Sequence, residues 1–552
     1  MRIALAQIDP VVGAFDANVE KIKIAYERAC AEGARLLLTP ELGICGYPPH
    51  DLMERPEMFE RNERALKTLA DLTKGKTCAL AVGHVSKNAQ NVGRSAQNTV
   101  SILENGKVVF TQSKTLLPTY DVFDEARYFE PAHEINLWVC DGKKIAVAIC
   151  EDLWGHDPAL GRSLYGKDPQ EIYKSKNPDL IISLSASPYE FDKRSRRENL
   201  HSNVAIKLGV PLIYVNQMGA TDEILFDGGS FILDSKGKLQ GRLPVFENSF
   251  GSVDLSNLKL DGPFSGEKAE NIDAIEVLAK ALVTGIREYF LRTGFKIAIL
   301  GVSGGIDSAV VAALAVQALG AKNVLGVAMP SQYSSGHSLE DAEILAKNLG
   351  INFEVQPIKF LFSTTQRQLS ERRGELAPMA QENLQSRLRG IILMTLSNHH
   401  NALVLTTGNK SELATGYCTL YGDMAGAIAP IGDVLKTRVY QLAKKINELW
   451  GAPIPERSIS KAPSAELRPN QKDQDTLPPY EDLDAMLEEY IEKAAPIADL
   501  EKKYGNWVRE TLRRLELNEF KRRQAAPVLK VSHKAFGIGR RIPIAKFWDQ
   551  KD

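Results

Sequence analysis

Short apolar runs and helical stripes alternate through the first half of the chain. Positions 2–6, 35–39, 77–84, 99–103, 145–150, 180–184 and 212–216 are runs of β-type residues and predict strands. Between them, 18–32 and 193–208 place their apolar positions at helical spacing, and Asn105-Gly106, Asp141-Gly142 and Lys236-Gly237 predict hairpin turns. The sum is a layered α/β domain over 1–255. The pattern then dissolves into a polar, Gly- and Pro-containing stretch that predicts a linker over 256–271. A second α/β domain follows over 272–552. A helix at 272–291, a strand at 296–302, a Gly-rich turn, a helix at 308–319 and a strand at 324–328 form a βαβ unit, and strands at 352–358 and 402–407 extend it into a doubly wound parallel sheet.

Composition narrows the function classes. The 552 residues carry 68 Lys+Arg against 69 Asp+Glu, a formal net charge of -1, so no excess of one sign points to nucleic acid or to a membrane surface. No run approaches a membrane helix or a signal-peptide core, which predicts a cytoplasmic protein. The six cysteines include no CxxC pair and the nine histidines no HExxH, so neither a disulfide scaffold nor a zinc site is expected. Small-molecule partners are the expectation. The segment 467–480 is Pro- and Asp-rich and predicts a long functional loop. The segment 521–546 holds eight Lys/Arg and no acid, and its interspersed apolar residues predict packing against a polyanionic small ligand.

Gly301-Val302-Ser303-Gly304-Gly305-Ile306-Asp307-Ser308 stands at a strand-to-helix turn. Glycines let backbone N–H groups approach an anion, and the helix start adds its positive end. The segment lacks the lysine of a Walker loop and the spacing of GxGxxG. SGGIDS resembles the signature of ATP pyrophosphatases, adenine nucleotide alpha hydrolase-like enzymes that activate a carboxylate or carbonyl oxygen as an adenylate while releasing pyrophosphate. With Glu382–Arg387, TTGNKSE at 406–412 and KAPSAEL at 461–467, the set is similar to the NAD synthetase family. That resemblance implies ATP contacts at Gly301 to Ser308, Thr407 and Lys461. It also implies Mg²⁺ ligands at Asp307 and Glu412, and deamido-NAD contacts at Asn383, Glu412 and Lys521.

Glu41 in TPELG, Lys114 in SKTLLP and Cys150 in CEDLW each follow a predicted strand. Taken singly, a lone cysteine there is an inert core residue and the charges are surface charges. In the order Glu, Lys, Cys they resemble the nitrilase superfamily of carbon-nitrogen hydrolases, which implies an α-β-β-α sandwich. The residue types suit amide cleavage: Cys150 as nucleophile, Glu41 as base and Lys114 as oxyanion donor. The resemblance further implies glutamine contacts at Tyr120, Ser187 and Lys193, with Glu125 supporting the lysine. An amide-cleaving half and a carboxylate-activating half together resemble glutamine-dependent NAD synthetases over nearly the whole chain. The implied reaction amidates deamido-NAD with ammonia from L-glutamine, at the cost of ATP, along a sheltered route. A homo-oligomer is expected by analogy. Two alternatives stay open: a nitrilase-type amidase with a regulatory nucleotide-binding domain, and an ATP pyrophosphatase that amidates another carboxylate.

Overall fold

A computed structural model describes residues 1–90, 92–154, 164–264, 273–469 and 471–547; the Arg373 side chain and the later part of the predicted linker, 265–271, lie outside the described residues. The chain divides into two units, Met1–Ile272 and Asp273–Asp552.

The first unit packs two sheets face to face. One runs Lys259–Asp261, Ser249–Asp254, Arg2–Gln7, Leu36–Leu38, Ala79–Lys87, Ala96–Glu104, Lys107–Ser113. The other runs Leu239–Arg242, Phe231–Leu233, Leu212–Asn216, Leu180–Ser185, Lys143–Ile149, Leu137–Cys140. Strand side chains point alternately to opposite faces, and the sequence uses that period directly. Leu36 and Leu38 enter the core between the sheets with Ile3, Leu5, Val147 and Ile213. Leu37 turns outward, with Ala4 and Ala6, to a core shared with the helix Phe15–Ala31. The helices Pro169–Lys176 and Lys193–Leu208 pack on the second sheet's outer face. The four layers are α-β-β-α. The polar stretch read as a linker begins with a strand, Lys259–Asp261, paired antiparallel to Ser249–Asp254. Three residues of mixed polarity carry no strand signal without the neighbour that pairs them.

The second unit is built on a parallel sheet in the order Asn352–Val355, Val324–Ala328, Ala298–Gly301, Leu403–Val404. The chain leaves Ala298–Gly301 for a strand on one side and later returns on the other. That reversal opens a crevice at the carboxyl ends of the central strands, where open α/β sheets bind ligands. The helix Ile306–Leu319 starts there, and every residue from Ile306 to Ala315 except Asp307 is buried. A helical layer, Tyr480–Lys493, Ile497–Tyr504 and Trp507–Leu517, adds its own core of Leu483, Met486, Leu487, Val508 and Leu512.

Candidate active sites

In the first unit three strand ends carry the predicted residues. Glu41 follows Leu36–Leu38, Lys114 follows Lys107–Ser113, and Cys150 follows Lys143–Ile149 at the start of the single turn Cys150–Leu153. Gly83 makes the first placement possible, because a Cβ there would collide with the Pro40–Leu42 backbone lying across its strand. Cys150 has φ +40, a left-handed conformation that non-glycine residues adopt at a cost and that recurs at functional turns. Asp152 holds that turn: one carboxylate oxygen accepts the N–H groups of Thr115 and Leu116, and the other accepts that of Ile149. The residue pair after Lys114 is thereby fixed to the turn of Cys150.

Lys114 Nζ donates to Glu41 Oε1 and to Glu125 Oε1, each at 2.7 Å, and all three side chains are buried. Asn98 Nδ2 donates to the same Glu41 oxygen at 2.7 Å, and the Ala186 N–H reaches Glu41 Oε2 at 2.9 Å. Tyr47 donates to Glu125. Burial alone would lower the Lys114 ammonium, but Glu125 and Glu41 outweigh it and hold it well above its usual value. Burial, helped by Glu41, pushes Glu125 up to about 7 against the pull of Lys114. Burial and then Glu41 raise the Cys150 thiol well above the ordinary range, with Lys114 opposing. A thiol so placed needs a base at the moment of attack, and its carboxylate neighbour Glu41 is suited to be that base.

The predicted glutamine contacts flank this cluster. Tyr120 donates its hydroxyl to the Glu151 carboxylate. Ser187 is held through its backbone by Asn216, whose Oδ1 accepts the Ser187 N–H and whose Nδ2 donates to the Ser187 carbonyl. Lys193 starts the helix Lys193–Leu208 and pairs with Glu190 at 3.4 Å.

In the second unit one cavity of about 550 Å³ collects the other predicted residues. Its lining includes Gly301, Val302, Ser303, Gly305, Ile306, Asp307 and Ser308, together with Asn383, Thr407, Glu412, Lys461 and Lys521. Gly304 does not line it; it has φ +78 and its missing Cβ leaves room for the Ser338 carbonyl. Asn409 caps the helix Lys410–Thr415 through the Glu412 N–H and also donates to Asp307 Oδ1 at 3.0 Å. Lys436 forms an ion pair with Asp307 and lies 3.6 Å from Glu412. Burial and the neighbouring Asp307 push Glu412 up to about 8, with Lys436 opposing. Lys461 donates to Ser338 and to Glu466, each at 2.7 Å.

Among the described residues no group of three or more His, Cys, Asp or Glu is placed to hold a metal ion. Two carboxylates at a cavity edge nevertheless suit Mg²⁺, which binds through one or two protein carboxylates plus substrate phosphates rather than in an all-protein cage. The basic C-terminal segment divides between the cavity and acids of the same chain. Lys521 lines the cavity, donating to the carbonyls of Gly416 and Cys418. Arg522 and Arg540 instead pair with Glu519, and Arg540 and Lys546 with Glu516. Acids of the helices Trp507–Leu517 and Glu519–Arg522 thus pair with Arg522, Arg523, Arg540 and Lys546.

Asn98, Asp152, Asn216 and Lys436 were not read from the sequence. Asp152, inside CEDLW two residues after Cys150, was the only one with a local signal.

The two units correspond to two enzyme classes. The family model of carbon-nitrogen hydrolases matches residues 2–260, and that of NAD synthases matches residues 278–525. The glutamine-dependent NAD(+) synthetase of Synechocystis sp. (strain ATCC 27184 / PCC 6803 / Kazusa) is 45% identical over 99% of this chain and 98% of its own length. That of Acinetobacter baylyi (strain ATCC 33305 / BD413 / ADP1) is 38% identical over 100% and 99%. A solved structure of glutamine-dependent NAD+ synthetase from Acinetobacter baumannii in complex with adenosine diphosphate superposes with a TM-score of 0.77 at 36% identity, covering 100% of this chain and 99% of that one. The chain belongs to the glutamine-dependent NAD(+) synthetase family.

Proposed function

We propose that the chain converts deamido-NAD to NAD, using ATP and the side-chain amide of L-glutamine. Glu41 takes the Cys150 proton as sulfur adds to the amide carbonyl, and Lys114 Nζ stabilises the oxyanion. The C–N bond breaks, the proton passes from Glu41 to the departing ammonia, and water then cleaves the thioester to glutamate. Tyr120, Ser187 and Lys193 hold the amino acid portion, and Glu125 steadies Lys114. In the second unit the nicotinate carboxylate attacks the α-phosphorus of ATP, and pyrophosphate leaves. Ammonia adds to the resulting acyl adenylate, and AMP leaves as the amide forms.

The turn from Gly301 to Ser308 receives phosphate through its backbone N–H groups and helix start, with Thr407 and Lys461 also contacting ATP. Asn383, Glu412 and Lys521 contact deamido-NAD. Asp307 and Glu412 would hold Mg²⁺, which when bound neutralises phosphate charge.

The observation that carries this reading is the pairing, in one chain, of a closed Glu41–Lys114–Cys150 cluster with a cavity lined by the SGGIDS turn. The test supplies glutamine labelled with ¹⁵N in its amide, deamido-NAD, ATP and excess unlabelled ammonium. Label in the NAD carboxamide, with AMP formed one for one, is expected, and undiluted label indicates sheltered transfer. Glutamine hydrolysis without AMP would favour an amidase with a regulatory nucleotide-binding domain. AMP formed only with a different acid would favour another acceptor. Cytoplasmic location and self-association belong to the same reading. The helix Pro378–His400 exposes Ile391 and Met394, apolar side chains suited to a subunit contact, and light scattering measures the assembly. Among the described residues no helix is long and apolar enough to cross a membrane.

A further inference from the structure

Lys436 is the first residue of the helix Lys436–Leu449, and its ammonium lies beside the two acids that line the second unit's cavity. It forms an ion pair with Asp307 Oδ2 and lies 3.6 Å from Glu412 Oε1. The other two carboxylate oxygens belong to Asn409, whose Nδ2 donates to Asp307 Oδ1 at 3.0 Å and whose backbone N–H reaches Glu412 Oε2 at 3.3 Å. The ammonium is held in place. Its side chain is 2% exposed and lies over the Tyr480 ring, 5.6 Å from the centre. The Lys436 N–H donates at 3.0 Å to Ser411 Oγ, on the same helix that carries Glu412. Asp473, which also lines the cavity, accepts the Tyr480 hydroxyl. A divalent ion that binds Asp307 and Glu412 therefore shares them with a fixed positive charge.

We propose that Lys436 is a positioning residue that acts through Asp307 and Glu412: as their resident counter-ion, it makes their occupation by a divalent ion depend on bound nucleotide. The assignment rests on the reading of these two acids as the carboxylates that hold Mg²⁺. An ion arriving alone meets the ammonium at close range, where two positive charges repel strongly in a partly buried site. It must also give up water for carboxylates that already have partners, and Mg²⁺ dehydrates reluctantly. A nucleotide on the Gly301–Ser308 turn brings phosphate oxygens into the same cavity. Those oxygens add ligands for the ion and offset the repulsion. Ion and nucleotide then strengthen each other's binding by the same factor.

The test measures Mn²⁺, as a stand-in for Mg²⁺, held by the full chain in equilibrium dialysis. It is run without nucleotide and then with α,β-methylene-ATP, whose methylene bridge is not cleaved, at the same free concentration on both sides. Wild type is expected to hold the ion at least about 50-fold more tightly with the analogue than without it. Lys436→Met is expected to lower that ratio about tenfold, by raising the affinity for the ion alone. Lys436→Gln replaces it if the methionine variant does not fold. A wild-type ratio near one would overturn the assignment whatever the variants do. So would a folded Lys436→Met protein that binds the ion alone no better than wild type, since a merely structural lysine cannot raise that affinity when lost. Asp307→Asn separates the two readings. It is expected to lose the ion even with the analogue, and if it holds the ion as tightly as wild type, the reading of the metal ligands falls and the assignment with it.

Discussion

Each unit places one lysine between two carboxylates, and the two arrangements differ in how far water reaches them. Lys114 lies between Glu41 and Glu125, with the three side chains 1%, 1% and 4% exposed. Lys436 lies beside Asp307 and Glu412, itself 2% exposed while each acid is 18% exposed. The first set is sealed, with one cation shared by two acids, which suits a small amide that brings no phosphate. The second opens its acids into a cavity lined by the Gly301–Ser308 turn, where phosphates and a divalent ion would add charge of their own. Under the proposed function the same counter-ion arrangement would serve nucleophilic cleavage where it is closed and phosphate chemistry where it is open.

The comparison can be broken from either side. Lys114→Met leaves two acids buried without their cation. Glutamine hydrolysis should fall by about 10³-fold, and thermal unfolding should show the first unit losing about 3–5 kcal/mol. Ammonium-supported NAD formation should persist. A variant that still hydrolysed glutamine well would remove Lys114 from the oxyanion role. Asp307→Asn acts in the open site. NAD formation with either donor should drop by about 100-fold or more, and chelation of Mg²⁺ in the wild type should have the same effect. Calorimetry of Mg²⁺-ATP binding separates a lost ligand from a misfolded domain.

A smaller effect sharpens the closed site. Asn98→Leu removes one of the three donors that hold Glu41, and kcat for glutamine should fall about 10- to 100-fold with KM little changed. A rise in KM alone would show that Asn98 serves binding and not the base.

How much of this was legible in sequence depends on distance along the chain. The strands at 212–216 and 324–328 and the helix at 193–208 were read at the boundaries observed, because their apolar spacing is regular and buried. The strand Lys107–Ser113 was read only as the strand before Lys114, without bounds, because six of its seven residues are exposed or half-exposed and no buried alternation marks it. The residues Glu41, Lys114 and Cys150 could be named because, in that order at three strand ends, they resemble the nitrilase superfamily. Their partners could not. Asn98 meets Glu41 across 57 positions and Lys436 meets Asp307 across 129, and nothing local to either residue announces the contact. Asp152 and Glu151 were within reach, since both lie in the CEDLW segment that drew attention to Cys150.

The central claim is that two separable sites share one product. The measurement that tests it most directly is NAD formation by Cys150→Ala with deamido-NAD, ATP and Mg²⁺, comparing glutamine with ammonium as nitrogen donor. Glutamine-supported synthesis is expected to fall by at least about 10³-fold, while ammonium-supported synthesis is unchanged. Equal loss with both donors, in a variant shown to be folded, would contradict the claim.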